Sequence, residues 1–533
     1  MRFTRISACL LLFFCALPVL SQQPPPSRHL FFRVVVGKEF AQPVSGRLLI
    51  FLKTGTGAAE VDTSPFRPTE VSVAAKEIQD IAPGEAVEID TDDIAYPSGF
   101  SRLPSGDYQA QAVVDVNHSY DYSGRSPEDP ISEVTPLVHF SPAASPEPTL
   151  VLTQTAPART RTKSSDSQSA AAIHTEDFIS PVLSRFWGRP IHMRALVVEP
   201  PGYGNQPNQH YPAVYFTHGF GARFDYLRAN GEMLFRRMND NKMPRMLWIL
   251  LDESSPSGTH EFADSANNGP WGRALTTEFI PYLESRYRLD PRPGARFLNG
   301  HSSGGWATLW LQVTYPKIFG GTWSTSPDPS DFHDFTGPDL YAPHANVYHR
   351  PDGSPYPLVR MNGKPVATLE EFARLESVLG SYGGQLASFE WVFSPRGSDG
   401  RPLQMFDRVT GDVHPDVVEA WKKYDISRIL STRWRTLAPD LNGKIHLIVG
   451  TADTFYLDGA AHKLKATLDS LHADAEVRFI ENRTHFDLYK VGSDSQGLFD
   501  QIARQMYQSW QASSRSAHAA PTGPAGKLTP TAP

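Results

Sequence analysis

The stretch FLNGHSSGGW, residues 297–306, sets two serines side by side among glycines. Where a strand turns abruptly into a helix, the residues two before and two after the turning residue come close together, so both must be small. Around Ser302 these positions are Gly300 and Gly304; around Ser303 they are His301 and Gly305. An imidazole at the first position clashes. Ser302 therefore fits the G-x-S-x-G elbow of a serine nucleophile and Ser303 does not. Short glycine–serine runs are also common as plain turns, so the motif is judged by what lies around it.

A serine hydroxyl becomes a useful nucleophile only when a histidine takes its proton, and that histidine needs a carboxylate to hold its tautomer. On an α/β sheet the three follow the carboxyl ends of strands in the order serine, acid, histidine. Downstream, the apolar run IHLIVG (445–450) leads into Thr451, Ala452 and Asp453, and EVRFI (476–480) leads into ENRTH, which ends at His485. Asp453 and His485 are the candidate acid and base. Asp458 is the alternative acid, and Asp453 is then a helix cap; the bland reading of His485 is a packed loop histidine. His301 reads as a packing residue. Two backbone N–H groups must face the oxyanion. One is expected from Ser303. The other is expected from the glycine-rich turn Thr217-His218-Gly219-Phe220-Gly221, with Phe220 as donor and Gly219 as the alternative.

From residue 173 to 512 apolar strands alternate with amphipathic helices, which predicts an α/β sheet. Buried strands are expected near 195–198, 213–217, 246–251, 296–298, 321–324, 445–449 and 476–480, and a helix over 494–511 with Leu498, Phe499, Ile502, Met506 and Trp510 on one face. Residues 328–439 are too long for a connection. They hold Thr368-Leu-Glu-Glu371, a capping box for a helix ending near Gly380. Tyr341, Tyr348, Tyr356, Trp391, Phe393, Phe406, Trp421, Tyr424 and Trp434 make the segment aromatic. It reads as a cap over the active site, with most aromatics in its own core and one or two facing the substrate.

Before residue 173 the rhythm differs. Residues 28–153 carry short β-rich runs between proline and glycine turns, read as a small all-β, sandwich-like domain. Residues 154–172 are small and polar and read as a flexible linker; 513–533 read as a disordered tail. Apart from one proline, residues 155–172 have no apolar side chain larger than alanine. The reading at this level is two loosely joined domains, with small-ester catalysis complete from residue 173 onward.

With 533 residues the chain exceeds one core, and its net charge of −7 with no basic block gives no support to nucleic-acid binding. Residues 1–5 are basic, 6–20 apolar, and Ser21 precedes a plausible cleavage point. The pattern reads as a signal peptide over residues 1–21, too short for a span, so the mature protein is expected in the periplasm or medium with no membrane helix. Both cysteines, Cys9 and Cys15, fall inside it, which removes disulfides and thiolate metal sites from the mature chain.

Taken together, THGFG, NNGPWGRALTTEFIPYLESRYR, NGHSSGGW, GTADTFYL and the histidine of ENRTHF resemble the esterase D and feruloyl esterase-like branch of the α/β-hydrolases, the putative-esterase family. The resemblance runs from about Arg189 to Trp510. It implies a serine esterase with no metal and no organic cofactor, acting on a small-molecule or carbohydrate ester. The cap and the N-terminal domain depart from compact members and leave the acyl and alcohol groups open. Two rivals stand beside this reading: a serine peptidase similar to the prolyl oligopeptidase group, and a binding protein on an inactive hydrolase fold.

Overall fold

The computed structural model describes residues 29–136, 138–140, 147–158, 167–380 and 384–519. The leader expected at 1–21, residues 159–166 of the linker and the tail beyond Ala519 lie outside these residues.

The strand sequences AVYFT (Ala213–Thr217) and LWILL (Leu247–Leu251) are buried along their whole length. Unbroken apolar runs of this kind belong in parallel sheets covered on both faces. They lie in an eight-stranded sheet in the order Ile173–Ile179, His192–Val198, Leu247–Leu251, Ala213–Thr217, Arg296–His301, Gly321–Thr325, Ile445–Gly450, Ala475–Ile480. The first two strands are antiparallel to their neighbours and the rest are parallel. Alternation divides the core. Val214 and Phe216 face the helix Leu227–Asn239 and the C-terminal helix, while Ala213 and Tyr215 face the helix Ile280–Arg286. This is the α/β-hydrolase fold. The C-terminal helix buries Leu498, Phe499, Ile502 and Met506, and it runs from Gly497 to Ala519, past the expected end and into the tail. Among the described residues no helix is long and apolar enough to cross a membrane.

Between the strands Gly321–Thr325 and Ile445–Gly450 the insertion forms a hairpin (Pro357–Met361 with Lys364–Thr368) and the helices Leu369–Leu379, Gln385–Phe393, Pro415–Trp421 and Ile426–Leu441. The capping box at Thr368 is present: its hydroxyl accepts from Glu371 N at 3.2 Å, and the Glu371 carboxylate accepts from Thr368 N at 2.8 Å. Tyr348, Phe393, Phe406, Trp421 and Tyr424 pack into one core with Trp306 and Trp310.

The N-terminal strands form one nine-stranded sheet between Phe31 and Thr155. It curls until its ends meet: Lys76 Nζ, near one end, donates to Glu88 O, at the other, at 2.6 Å. Leu48, Ile50 and Leu52 point into the core so enclosed. Leu49 and Phe51, on the opposite face of the same strand, are equally buried. They pack with Val73, Val113 and Tyr120 against Leu375, Val378 and Leu379 of the cap helix.

That contact overturns the loosely joined arrangement. Arg47, 5% exposed, donates from Nε to Val378 O at 2.9 Å and from Nη2 to Ser377 O at 3.3 Å. The guanidinium thus satisfies carbonyls that the last turn of a helix leaves open, at its negative end. Each apolar side chain buried at the joint contributes about 1.5–3 kcal/mol. The linker composition is irrelevant to this, because the domains are held by their surfaces and not by the chain between them.

Candidate active site

Strand Arg296–His301 ends at the elbow. Ser302 has φ 61° and ψ −127°, and the helix Ser303–Thr314 starts at the next residue. A positive φ on a non-glycine residue is strained. Hydrogen bonds hold it: Ser302 N donates to Thr325 O at 3.1 Å, Thr325 Oγ1 to Gly300 O at 2.7 Å, and Thr217 Oγ1 to Gly304 O at 2.7 Å. The glycines are required by space. A Cβ on Gly300 would lie 2.1 Å from Gly304 O, and one on Gly304 would lie 2.4 Å from His218 O.

His485 and Asp453 follow the last two strands and meet at 2.9 Å, His485 Nδ1 to Asp453 Oδ2. Both are buried. Burial alone would raise the Asp453 carboxyl; the His485 ring and its hydrogen bond outweigh that and hold it below the ordinary carboxylate value. Phe455 N also donates to Asp453 Oδ1 at 2.9 Å. Asp458 instead pairs with Arg360 Nη2 at 2.8 Å and opens the helix Asp458–Ser470. Of the two acids, Asp453 is the one that reaches the histidine.

Ser302, His301 and His485 line one cavity of about 620 Å3, together with Gly219 and Phe220. The glycine turn lies against the serine, since a Cβ on Gly219 would be 3.0 Å from Ser302 Cβ. His218 braces that turn: its Nε2 accepts from Glu253 N at 2.9 Å. Ser303, the first residue of its helix, has a backbone N–H that no intrahelical bond uses. The edge of His301 reaches the cavity, but the ring is enclosed by His485 (ring centroids 4.3 Å apart), Tyr489 and Thr325. Burial first, then His485, pushes it down to about 3, so it stays neutral.

A "Putative esterase" family model matches residues 188–513. The chain belongs to the putative esterase family. Three solved structures are similar to part of it. A ferulic acid esterase is 12% identical, with 64% of this chain and 97% of that chain covered and a TM-score of 0.39. An S-formylglutathione hydrolase from Agrobacterium tumefaciens is 14% identical, covering 64% and 94%, at 0.36. A fluorophosphonate-binding serine hydrolase of Staphylococcus aureus is 14% identical, covering 64% and 98%, at 0.36. No curated protein matches the chain.

The candidate site contains groups that the sequence did not single out. Asp328, 5% exposed, accepts from the Ser303 hydroxyl at 2.5 Å and from Gln385 Nε2 at 3.3 Å. Burial pushes its carboxyl up to about 6, against the lowering effect of Ser303 and His485. The second serine is thus occupied through its side chain. Asp328 follows a strand at its carboxyl end, which is the one signal that could have found it. From the cap, Phe372, Leu375, Glu376 and Leu379 line the cavity, and none of the nine aromatics named above does. Those aromatics fill the cap core, or in the case of Trp391 a separate surface cavity. Among the described residues, Asp331, His333 and Asp425 lie close enough to share a metal ion. Asp331 Oδ1 takes His333 Nδ1 at 2.9 Å, and Asp425 caps a helix at Arg428 N and accepts from Tyr341 Oη.

Proposed function

We propose that this member of the putative esterase family is a secreted serine esterase that cleaves carboxylic esters through an acyl-enzyme. Ser302 Oγ attacks the ester carbonyl as His485 Nε2 takes its proton. Asp453 accepts from His485 Nδ1–H, fixing the tautomer and stabilising the imidazolium. The oxyanion is received by the backbone N–H of Ser303 and of Phe220. Collapse of the tetrahedral intermediate expels the alcohol, which takes the proton from His485. Water, deprotonated by the same histidine, then attacks the acyl-Ser302 ester; the carboxylic acid leaves and Ser302 regains its proton.

The observation that carries this reading is the strained Ser302, opening into the same cavity as a histidine bonded to a buried, ionised aspartate. Secretion is supported by residues 1–21. A peptidase of the prolyl oligopeptidase type has less support, because the described N-terminal strands form one curled sheet and not a ring of repeated blades.

The test is turnover of p-nitrophenyl acetate, with fluorophosphonate labelling, by the mature chain and two variants. Ser302→Ala is expected to abolish labelling and to lower turnover by orders of magnitude. Ser303→Ala keeps the amide and is expected to retain labelling. Labelling that survives in Ser302→Ala, or maps to Ser303, overturns the assignment.

A further inference from the structure

The cavity at Ser302 has a third wall that belongs to neither the hydrolase sheet nor the cap. Asp62, Thr63, Phe66, Tyr120, Asp121 and Tyr122, all from the N-terminal domain, line it. This wall lies outside the part of the chain that the family model covers. Its placement is built. Asp115 accepts from the amides of Ser119 and Tyr120 at 3.0 and 2.9 Å, which sets the short turn Tyr120–Ser123. Tyr122 Oη reaches across to Pro256 O of the hydrolase domain at 3.0 Å. Phe66 lies 6.1 Å from Phe455 and 5.7 Å from Phe486 between ring centroids, and those two rings flank His485 at 4.9 and 5.5 Å.

The charge of this lining is one-sided. Among the described residues its acidic side chains are Asp62 and Asp121 from the N-terminal domain and Glu376 from the cap, the last pushed up to about 8 by burial and so uncharged at neutral pH, and no lysine or arginine lines it. Arg223 lines an adjoining groove with Tyr122, not this cavity. An anionic substituent drawn into such a site loses its water and meets no cation in exchange. A cationic substituent meets carboxylates and the faces of aromatic rings, both of which attract it.

Resting on the esterase reading above, we infer that the N-terminal domain is a substrate-selecting wall of the active site, which admits neutral and cationic esters and excludes anionic ones. The domain acts at the reacting ester and not only as a support beside it.

The test uses the full mature chain and three p-nitrophenyl esters of similar size: the monoester of succinic acid, its methyl ester, and the ester of 4-(trimethylammonio)butanoic acid. The expected order of kcat/KM at neutral pH places the anion at least about tenfold below the other two. Two substitutions in the N-terminal domain, Thr63→Lys and Asp121→Asn, are each expected to narrow the neutral-to-anionic ratio by about threefold or more. The ratio within one variant cancels any loss of folded enzyme, which a merely structural role would produce. Equal rejection of the cationic and anionic esters overturns the inference, and so does an unchanged ratio in both variants. Those outcomes, with turnover of the methyl ester intact, leave the esterase reading standing. No turnover of any ester and no labelling of Ser302 removes both.

Discussion

Ser302 is held at a backbone angle that most side chains avoid, and the residues around it explain why it persists. Gly300 and Gly304 provide room, and Thr217 and Thr325 tie the two ends of the turn. The same scale separates two acids five residues apart by their partners. Asp453 accepts from His485 and Asp458 is committed to Arg360. Asp453→Asn is expected to lower kcat by on the order of 10⁴, through the wrong histidine tautomer, with the fold intact. Asp458→Asn is expected to cost far less in kcat and to show mainly as a small loss of thermal stability. Steady-state kinetics beside a thermal melt checks both; the reverse ranking of kcat would assign the acid to Asp458.

The cap helix Leu369–Leu379 does three jobs at the level of an element. Its capping box starts it, its apolar side docks on the N-terminal sheet, and Glu376 faces the cavity. Burial, then nearby Asp121, pushes the Glu376 carboxyl up to about 8, against donation from Leu386 N. Between about 4.5 and about 8 the folded chain therefore keeps a proton that the unfolded chain has released. With more protons bound in the folded state, the stability from this group is full below that window and is lost as pH rises through it. Glu376→Gln removes the titration and keeps an acceptor for Leu386 N. The variant is expected to lose less thermal stability than the parent between pH 5 and pH 8. Melting midpoints across that range check it, and parallel curves would rule the group out.

At the scale of the whole molecule, the N-terminal sheet packs on the hydrolase and its cap, with the candidate active site at their junction. Leu375, Val378 and Leu379 lose their cover if the first domain is removed, as do Leu49 and Phe51 if the second is. A fragment from Ile173 onward is therefore expected to aggregate or to melt well below the full chain, since it exposes a contiguous apolar patch. Any fraction that stays folded is expected to lack the Phe66 side of the pocket and to be altered in KM. Size-exclusion chromatography and turnover of p-nitrophenyl acetate check this. A soluble, monomeric fragment with unchanged kcat and KM would restore the picture of two independent domains.

Local sequence determined the elements and the elbow. The runs AVYFT, LWILL and IHLIVG determined buried parallel strands, because only a sheet covered on both faces hides apolar residues at every position. Thr368 and Glu371 determined a helix start by reciprocal hydrogen bonds three residues apart. The glycines two either side of Ser302 separated it from Ser303, and the order of Ser302, Asp453 and His485 along the chain anticipated which strand ends converge. What the tertiary structure decided has no local signal. The run GRLLIFLK reads as a strand, but only docking shows that its second apolar face covers the cap helix. Phe66, Tyr122, Glu376 and Gln385 are spread over more than 300 residues. They share one cavity because a sheet, an elbow and a cap helix pack together. The linker was read correctly as small and polar, yet it said nothing about the joint. Domains are held by complementary buried surface, and the chain that tethers them carries no record of it.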